Sequence, residues 1–342
     1  MLITVYSLLL VVFVATSQSI RPHTFLSFQT RLNLVKSLEG GIQQREKFWC
    51  SIYGMDIPVK KLKSGFSLPE FGLGTWQMGG RESASTTNDA KDIAGVRSAI
   101  EAGITHIDTA ESYGDGHAEE IVGEAIRGMN RKKLFITSKV SEENHTCVGI
   151  PASCKKTLKR LRTDYLDLYL LHAFSTTCPL KEAIEALDAL VDEGLVKHIG
   201  VSNFGKEHLK EAQKLTRHTI VCNQVHYNLS VREIEEKGLL AYCQKNDVLL
   251  VAYRPVQKGK LLEEVPEIME KMCVKYEKSP AQIAINWLVS QQNIVTIAKT
   301  SDPAHLKENL GGIGWNLTEG DIELLRKDYP GQVFISDVIA LG

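Results

Sequence analysis

From Ser67 onward, short apolar runs alternate with longer stretches in which apolar and polar residues recur with helical spacing. Most of the short runs are continuously apolar, which is typical of strands that are buried on both faces of a parallel sheet. The predicted strands are Gly72–Trp76, Thr105–Asp108, Leu134–Lys139, Leu166–His172, Ile199–Asn203, Val221–Val225, Leu249–Tyr253 and Val295–Ala298.

The stretches between these strands carry the start and stop signals of helices. A glycine follows the predicted helices Ala90–Ala102 and Pro179–Glu193, and a proline stands at the first turn of those over Ala281–Val289 and from Asp302-Pro303 to Leu310. Eight strands that alternate with helices over about 250 residues predict an α/β fold of the (β/α)8 TIM-barrel type.

A doubly wound sheet with a dinucleotide fingerprint is the main alternative to the barrel. That fingerprint needs three glycines in a G-x-G-x-x-G spacing. Gly72 and Gly74 are followed by Gln77 at the third position, and Gly114 and Gly116 are followed by Glu119. The missing glycine favours the barrel.

The chain before the barrel has a different character. Residues 1–20 form an apolar leader and residues 21–57 an extension without a clear pattern, while 58–330 are predicted to be the barrel and 331–342 a C-terminal tail. The run Leu2–Ala15 is short for a membrane span, which needs about 20 apolar residues, and it lacks a preceding basic segment. We expect a cytoplasmic barrel; whether the leader directs the chain to the secretory pathway or to an organelle, or is an upstream stretch without meaning, stays open.

Charge and composition exclude several classes of protein. With 40 basic and 41 acidic side chains there is no broad basic field for a nucleic-acid backbone. No metal site is expected, because no H-x-x-x-H or H-E-x-x-H spacing occurs, and the seven cysteines include no C-x-x-C pair. The expected partner is a small molecule, bound by a monomer or weak oligomer.

Polar residues stand at the ends of nearly all the predicted strands, where barrel enzymes carry their chemistry. They are Asp108 with Tyr113 behind it, Lys139, His172, Ser202, Asn203, Gln224, Tyr253, Lys299 and Thr300. A series around the whole ring indicates one functional mouth.

The residue types at this mouth indicate protonation of an oxygen. An ammonium such as that of Lys139 favours phenolate and so is expected to lower the pKa of Tyr113, which makes its hydroxyl a usable general acid. Asp108 can supply the counter-charge of a buried Lys139, and His172 can orient a carbonyl oxygen. Trp76 is expected to line the substrate pocket.

At these residues the chain resembles the aldo-keto reductase family. The motifs Gly72–Trp76 (GLGTW), Ile107–Gly114 (IDTAESYG), Thr137–Lys139 (TSK), Asp164–His172 (DYLDLYLLH), Gly200–Phe204 (GVSNF) and Lys299–Asn309 (KTSDPAHLKEN) follow one another in the family's order. The resemblance extends from about residue 58 to about residue 315.

The resemblance implies an enzyme that reduces an aldehyde or ketone by hydride transfer from NADPH, with NADH as a second cofactor that could be accepted. It assigns Asp108, Tyr113, Lys139 and His172 to a catalytic tetrad with Tyr113 as general acid. It implies that the nicotinamide end is held by Ser202, Asn203, Gln224 and Tyr253, and the adenosine end by Lys299, Thr300, His305, Glu308 and Asn309. Thr300, Ser301 and the amides that open the helix at Asp302 could add hydrogen-bond donors for the 2'-phosphate. Val59–Leu68 is then a hairpin that closes the barrel floor.

Two positions depart from the family's common pattern. His305 stands where an arginine often clamps the 2'-phosphate, and Arg254 stands where a serine is frequent, so that Arg254 could supply a phosphate contact instead. Two other functions stay open from the sequence: a nucleotide-binding regulatory subunit with little turnover, and a barrel in which Lys139 forms a Schiff base. The carbonyl substrate is not identified by the sequence.

Overall fold

The computed structural model describes residues 54–81 and 83–341 of the chain. The predicted leader, residues 1–20, and nearly all of the extension, residues 21–57, lie outside these ranges. Of the helices in the described ranges, none combines the length and the apolarity that crossing a membrane requires.

Eight parallel strands close into a barrel, as the sequence predicts. Two short strands, β1 (Val59–Lys61) and β2 (Ser67–Pro69), precede the barrel. In chain order the barrel strands are β3 (Phe71–Gly74), β4 (His106–Asp108), β5 (Phe135–Val140), β6 (Leu166–Leu171), β7 (Val196–Ser202), β8 (Ile220–His226), β9 (Leu249–Tyr253) and β10 (Ile294–Ala298). Each strand pairs with its neighbour in sequence, and β10 pairs with β3 to complete the ring. The predicted strand positions are therefore confirmed to within a few residues at each end.

Helices follow the strands and surround the barrel. They are α1 (Asp89–Glu101), α2 (His117–Ala125), α3 (Gly149–Leu161), α4 (Leu180–Asp192), α5 (Lys206–Leu215), α6 (Glu233–Glu236), α7 (Leu239–Lys245), α8 (Glu267–Tyr276), α9 (Pro280–Val289), α10 (Pro303–Leu310) and α11 (Glu319–Asp328). Short 3-10 segments cover Arg131–Lys133, Glu142–Asn144 and Gln257–Leu262.

The helix boundaries follow the signals in the sequence. Gly103 after α1 and Gly194 after α4 have φ angles of 105° and 74°, the left-handed conformation that glycine adopts without a steric cost. Ser279 caps α9 through a reciprocal pair of hydrogen bonds with Gln282, and Asp302 caps α10. These local interactions fix where each helix begins or ends.

An antiparallel hairpin closes the amino-terminal end of the barrel. β1 (Val59–Lys61) pairs with β2 (Ser67–Pro69), and Leu62, Phe66 and Leu68 pack against apolar side chains from the barrel interior. The turn is fixed to the start of β9, because Asp247 accepts hydrogen bonds from the backbone amides of Lys63 and Ser64, each at 2.8 Å. The predicted floor hairpin is confirmed, and the opposite end of the barrel stays open for a site.

Candidate active site

A buried ammonium lies at the centre of the open end of the barrel. Lys139 Nζ donates hydrogen bonds to Asp108 Oδ1 at 2.6 Å, to the Thr109 carbonyl at 2.8 Å and to Tyr113 Oη at 3.2 Å. Strand pairing explains the arrangement: Asp108 on β4 pairs with Thr137 on β5, and Lys139, two residues further, points to the same side. The predicted trio of Asp108, Lys139 and Tyr113 is thus in direct contact.

His172, the first residue after β6, completes the group. Its ring lies edge-on to that of Tyr113, with centroids 5.7 Å apart, and Ser112 Oγ lies 3.3 Å from its Nδ1. Burial, together with the smaller effect of the Lys139 charge, lowers the pKa of His172 to about 3. The imidazole is therefore neutral at physiological pH and can donate one hydrogen bond without carrying charge.

The pKa of Tyr113 differs from the sequence-based expectation. Burial raises the pKa of this phenol above its usual 10.0, and the opposing effect of Lys139 is smaller than that of burial. The expectation that Lys139 brings the pKa below its ordinary value was wrong for the protein alone, because the cost of placing a phenolate in this buried position exceeds the attraction of the ammonium. Tyr113 is consequently a protonated donor across the physiological pH range.

Lys139 itself keeps its charge. Burial lowers the pKa of Lys139, but its interactions with the Asp108 carboxylate and with Tyr113, including hydrogen bonds to both, outweigh that effect and raise the pKa above its usual value. A buried ammonium without such a partner would be costly, so Asp108 is what allows Lys139 to remain charged beside the phenol.

Gln224, near the end of β8, links Asp108 of the tetrad to Ser202 at the end of β7. Its Nε2 donates to Asp108 Oδ2 at 2.8 Å, and its backbone carbonyl accepts from Ser202 Oγ at 3.0 Å. Both carboxylate oxygens of Asp108 are thereby engaged, one by Lys139 and one by Gln224.

Asn203 is the hub of a second set of hydrogen bonds. Its Nδ2 donates to the His172 carbonyl and to Ser202 Oγ, both at 3.0 Å, and its Oδ1 accepts from Tyr253 Oη at 2.9 Å. Asn203 has a φ of 57°, a left-handed conformation that asparagine tolerates better than most residues. The amides predicted to hold a nicotinamide are therefore fixed beside the tetrad by their own network.

The ring of Tyr253 is supported from one side. His226 stacks on it at 5.2 Å with an interplanar angle of 16°, and Tyr253 also borders the cavity at the open end of the barrel. Its phenol is held by Asn203, so the ring has a fixed orientation. This is an arrangement in which a planar group can stack on a preorganised aromatic surface.

Beyond β10, the predicted adenosine segment, Lys299–Asn309, divides into two groups. Lys299, His305, Glu308 and Asn309 border the cavity. Ser301 Oγ instead donates to Asp92 Oδ1 at 2.8 Å, and Thr300 Oγ1 accepts from the Asp302 amide at 3.0 Å. The hydroxyls of Thr300 and Ser301 thus bond within the protein.

The amino terminus of α10 is also occupied. Asp302 Oδ1 accepts from the amides of Ala304 and His305 at 2.7 and 3.3 Å. The sequence suggested these amides as donors for a bound anion, whereas in the structure the capping carboxylate already uses them. Lys299 and His305 are the basic residues of this segment that border the cavity.

A cavity of about 730 Å³ joins these parts. Besides the residues expected from the sequence, including Trp76 and Arg254, it is bordered by side chains that sequence reasoning missed: Gln77, Arg81, Ser112, Lys258, Val338 and Ile339. These residues come from loops and from the C-terminal segment, where no periodic pattern indicates which side chains turn inward.

The residues after α11 are an integral part of this wall. Glu233, a buried residue of α6, accepts hydrogen bonds from the amides of Ser336 and Leu341, each at 2.9 Å. Val338 and Ile339, between those two points, border the cavity. The segment described in the sequence as a tail therefore closes one side of the site.

Comparison with known proteins identifies the family. The sequence model described as "Aldo/keto reductase family" matches residues 70–329. The methylglyoxal reductase YeaE of Escherichia coli (strain K12) is 37% identical over 268 residues, which cover 77% of this chain and 92% of that protein.

Two solved structures are similar over nearly their whole length. The thermostable aldo-keto reductase Tm1743, in complex with the inhibitor epalrestat, is 41% identical, with a TM-score of 0.77, covering 79% of this chain and 99% of that one. An aldo-keto reductase of Klebsiella pneumoniae in complex with NADPH is 33% identical, with a TM-score of 0.71, covering 81% and 96%. The chain described here belongs to the aldo/keto reductase family of oxidoreductases.

Proposed function

We propose that this protein reduces an aldehyde or ketone to an alcohol with NADPH, and that Tyr113 is the general acid. The observation that carries the proposal is the hydroxyl of Tyr113 at the cavity wall, 3.2 Å from an ammonium that is itself paired with Asp108. Tyr113 is protonated at neutral pH, and the ammonium of Lys139 beside it can stabilise the phenolate that proton transfer leaves behind.

The side chains along the cavity fit a nicotinamide dinucleotide. Amide groups, an aromatic ring and cationic groups occur at or just after the ends of the consecutive strands β7, β8, β9 and β10, in positions that border one continuous cavity. NADPH, when bound, supplies the hydride. Ser202, Asn203 and Gln224 would hold its carboxamide and Tyr253 its nicotinamide ring, while Lys299 and His305 would hold the 2'-phosphate and Glu308 and Asn309 the adenosine.

The four tetrad residues divide the work of proton transfer. Neutral His172 donates a hydrogen bond to the carbonyl oxygen and orients it next to the Tyr113 hydroxyl. Tyr113 gives its proton to that oxygen as negative charge develops there, and the ammonium of Lys139 stabilises the resulting phenolate. Asp108 maintains the charge of Lys139 and accepts a hydrogen bond from Gln224 of β8, a strand that does not adjoin β4 in the barrel.

Similarity to a methylglyoxal reductase makes small 2-oxoaldehydes the first substrates to test. We expect oxidation of NADPH, followed by its absorbance, when methylglyoxal is added to the purified protein. If NADPH binds but none of a panel of aldehydes, ketones and sugars is reduced, the nucleotide-binding regulatory subunit becomes the better description.

Tyr113→Phe tests the role of the phenol. We expect turnover to fall by about 10²–10⁴, the usual contribution of a positioned acid, with little change in NADPH affinity. Tyr242→Phe is the matched control, because the hydroxyl of Tyr242 bonds to Gln213 outside the cavity. Near-normal turnover of Tyr113→Phe, with cofactor binding intact, would show that another group protonates the substrate.

A further inference from the structure

The loop that carries Tyr113 is joined to the segment after Lys139 by the side chain of Glu111. Glu111 is half-buried, and its Oε1 accepts hydrogen bonds from the Ser141 amide at 2.8 Å and from Asn144 Nδ2 at 3.0 Å. Hydrogen bonds to a charged acceptor are about twice as strong as those between neutral groups. One carboxylate oxygen therefore ties the loop after β4 to the loop after β5.

Backbone hydrogen bonds extend the same contact. The Thr109 amide donates to the Thr137 carbonyl at 2.9 Å. Further along, the Glu111 amide donates to the Lys139 carbonyl at 3.3 Å. These bonds continue the parallel pairing of β4 with β5 beyond Asp108, the last residue of β4. The second bond is longer than usual, so the two shorter bonds made by the Glu111 side chain strengthen this end of the contact.

A tight turn follows Tyr113 on its other side. Gly114, Asp115 and Gly116 have φ angles of 55°, 52° and 85°, all in the left-handed region, before α2 begins at His117. Asp115 adopts this conformation at a cost, and such a conformation persists where the surrounding structure fixes it. The Glu111 contact, two residues before Tyr113, is part of that surrounding structure.

The position of Tyr113 matters because its hydroxyl makes a specific contact with a fixed cation. Lys139 Nζ is held by Asp108 Oδ1 at 2.6 Å and lies 3.2 Å from the Tyr113 hydroxyl. A shift of the loop would therefore move the hydroxyl relative to the ammonium. Displacement of a reacting group by about 1 Å can lower a rate by about a hundredfold.

We propose that Glu111 is a positioning residue for carbonyl reduction. It fixes the loop of Tyr113 to the end of β5 and so sets the distance between the Tyr113 hydroxyl and the Lys139 ammonium. Glu111 does not itself border the cavity, so it acts through Tyr113 and not on the substrate. This inference rests on the proposed role of Tyr113 as general acid and adds the group that holds the acid in place.

Two substitutions at Glu111 test the proposal in the full chain. We would bind NADPH first, add methylglyoxal and measure the rate of a single turnover, which does not include product release. Glu111→Ala removes the acceptor and should lower this rate by about ten- to a hundredfold, with the affinity for NADPH unchanged. Glu111→Gln keeps an acceptor oxygen for both donors and should recover most of the lost rate. Glu143→Ala removes an exposed carboxylate next to Asn144 and, as the control for charge, should match the wild type.

A double substitution with Tyr113→Phe separates positioning from a general structural effect. If Glu111 acts through the phenol, Glu111→Ala should lower the rate little further once the hydroxyl is absent. Equal factors with and without the hydroxyl would overturn the proposal, because the loss would then not pass through Tyr113. An unchanged rate in Glu111→Ala, a matching loss of NADPH affinity, or an equal loss in Glu111→Gln would also overturn it.

If Glu111→Ala does not fold, Asn144→Ala takes its place in the same cycle, because it removes one of the two donors and leaves the carboxylate. An unchanged rate in Asn144→Ala then overturns the proposal. The outcome at Tyr113 separates this inference from the proposed function. If Tyr113→Phe loses turnover and Glu111→Ala does not, only the positioning role fails. If Tyr113→Phe turns over normally, the proposed acid and this inference fail together.

Discussion

The choice between NADPH and NADH depends on how the 2'-phosphate is held, and the structure leaves Lys299 as the main candidate. The hydroxyls of Ser301 and Thr300 bond to Asp92 and to the Asp302 amide, and Asp302 occupies the first amides of α10. Replacing Lys299 with methionine therefore removes the lysine charge of this segment that borders the cavity, while the length of the side chain is nearly retained.

The expected magnitude follows from the kind of contact. A hydrogen bond to a charged group contributes about 1.5–3 kcal/mol, which corresponds to about ten- to a hundredfold or slightly more in affinity. Lys299 is exposed, so solvent screening places the effect toward the tenfold end of that range. NADH lacks the 2'-phosphate, and its affinity should change by less than about twofold, within the range typical of surface substitutions.

The measurement is a titration of both cofactors, followed by quenching of tryptophan fluorescence, since Trp76 borders the cavity. Lys327→Met, an exposed lysine on α11 that does not border the cavity, is the control for the loss of one positive charge. Equal losses for NADPH and NADH in Lys299→Met, or a wild type that prefers NADH, would refute the assignment of Lys299 to the phosphate.

The remaining predictions concern pH, packing and the C-terminal segment. For carbonyl reduction, kcat/KM should be nearly flat from about pH 5 to pH 9 and should fall only as pH rises through the elevated pKa of Tyr113, because reduction needs the protonated phenol. His172, with a pKa of about 3, stays neutral over this range. An inflection near pH 6.5 would show that His172 titrates in the site. Gly123→Ala should lower the free energy of unfolding, measured by urea denaturation, by about 1–3 kcal/mol or more, because its Cβ would lie 2.4 Å from the Arg160 carbonyl oxygen. Gly320→Ala, on α11 with nothing within 4 Å, should instead stabilise by about 0.5–1 kcal/mol, and a similar response of both variants would contradict the packing argument. Glu233→Ala should release the segment after α11 and accelerate its proteolysis, as followed by mass spectrometry, and unchanged cleavage would show that other contacts hold this segment.

The alternation of strands and helices could be predicted because it depends on short-range physical chemistry. The strand Leu249–Tyr253 and the helix that starts at Asp302-Pro303 were predicted with nearly the observed bounds. A continuous apolar run and a capping residue followed by proline act locally, within a few residues of the chain. Eight such units leave few ways to bury all the strands except a closed barrel.

The grouping of Asp108, Lys139 and His172 was also accessible from the sequence, because the carboxyl ends of parallel strands in a barrel meet at one end. The contacts of Lys139 with Asp108 and Tyr113 agree with that reasoning. The roles of the tetrad and of the cofactor-binding residues stay predictions until the variants are measured.

Only the tertiary structure decided the quantities that depend on surroundings from distant parts of the chain. The pKa of Tyr113 rises because burial, which the whole barrel mouth produces, outweighs the nearby Lys139. Ser301 turns to Asp92, which is 209 positions away, and the segment after α11 reaches the cavity because Glu233 holds it there. A sequence pattern records which groups are available, whereas the degree of burial and the choice among competing hydrogen-bond partners follow from how the finished fold packs them together.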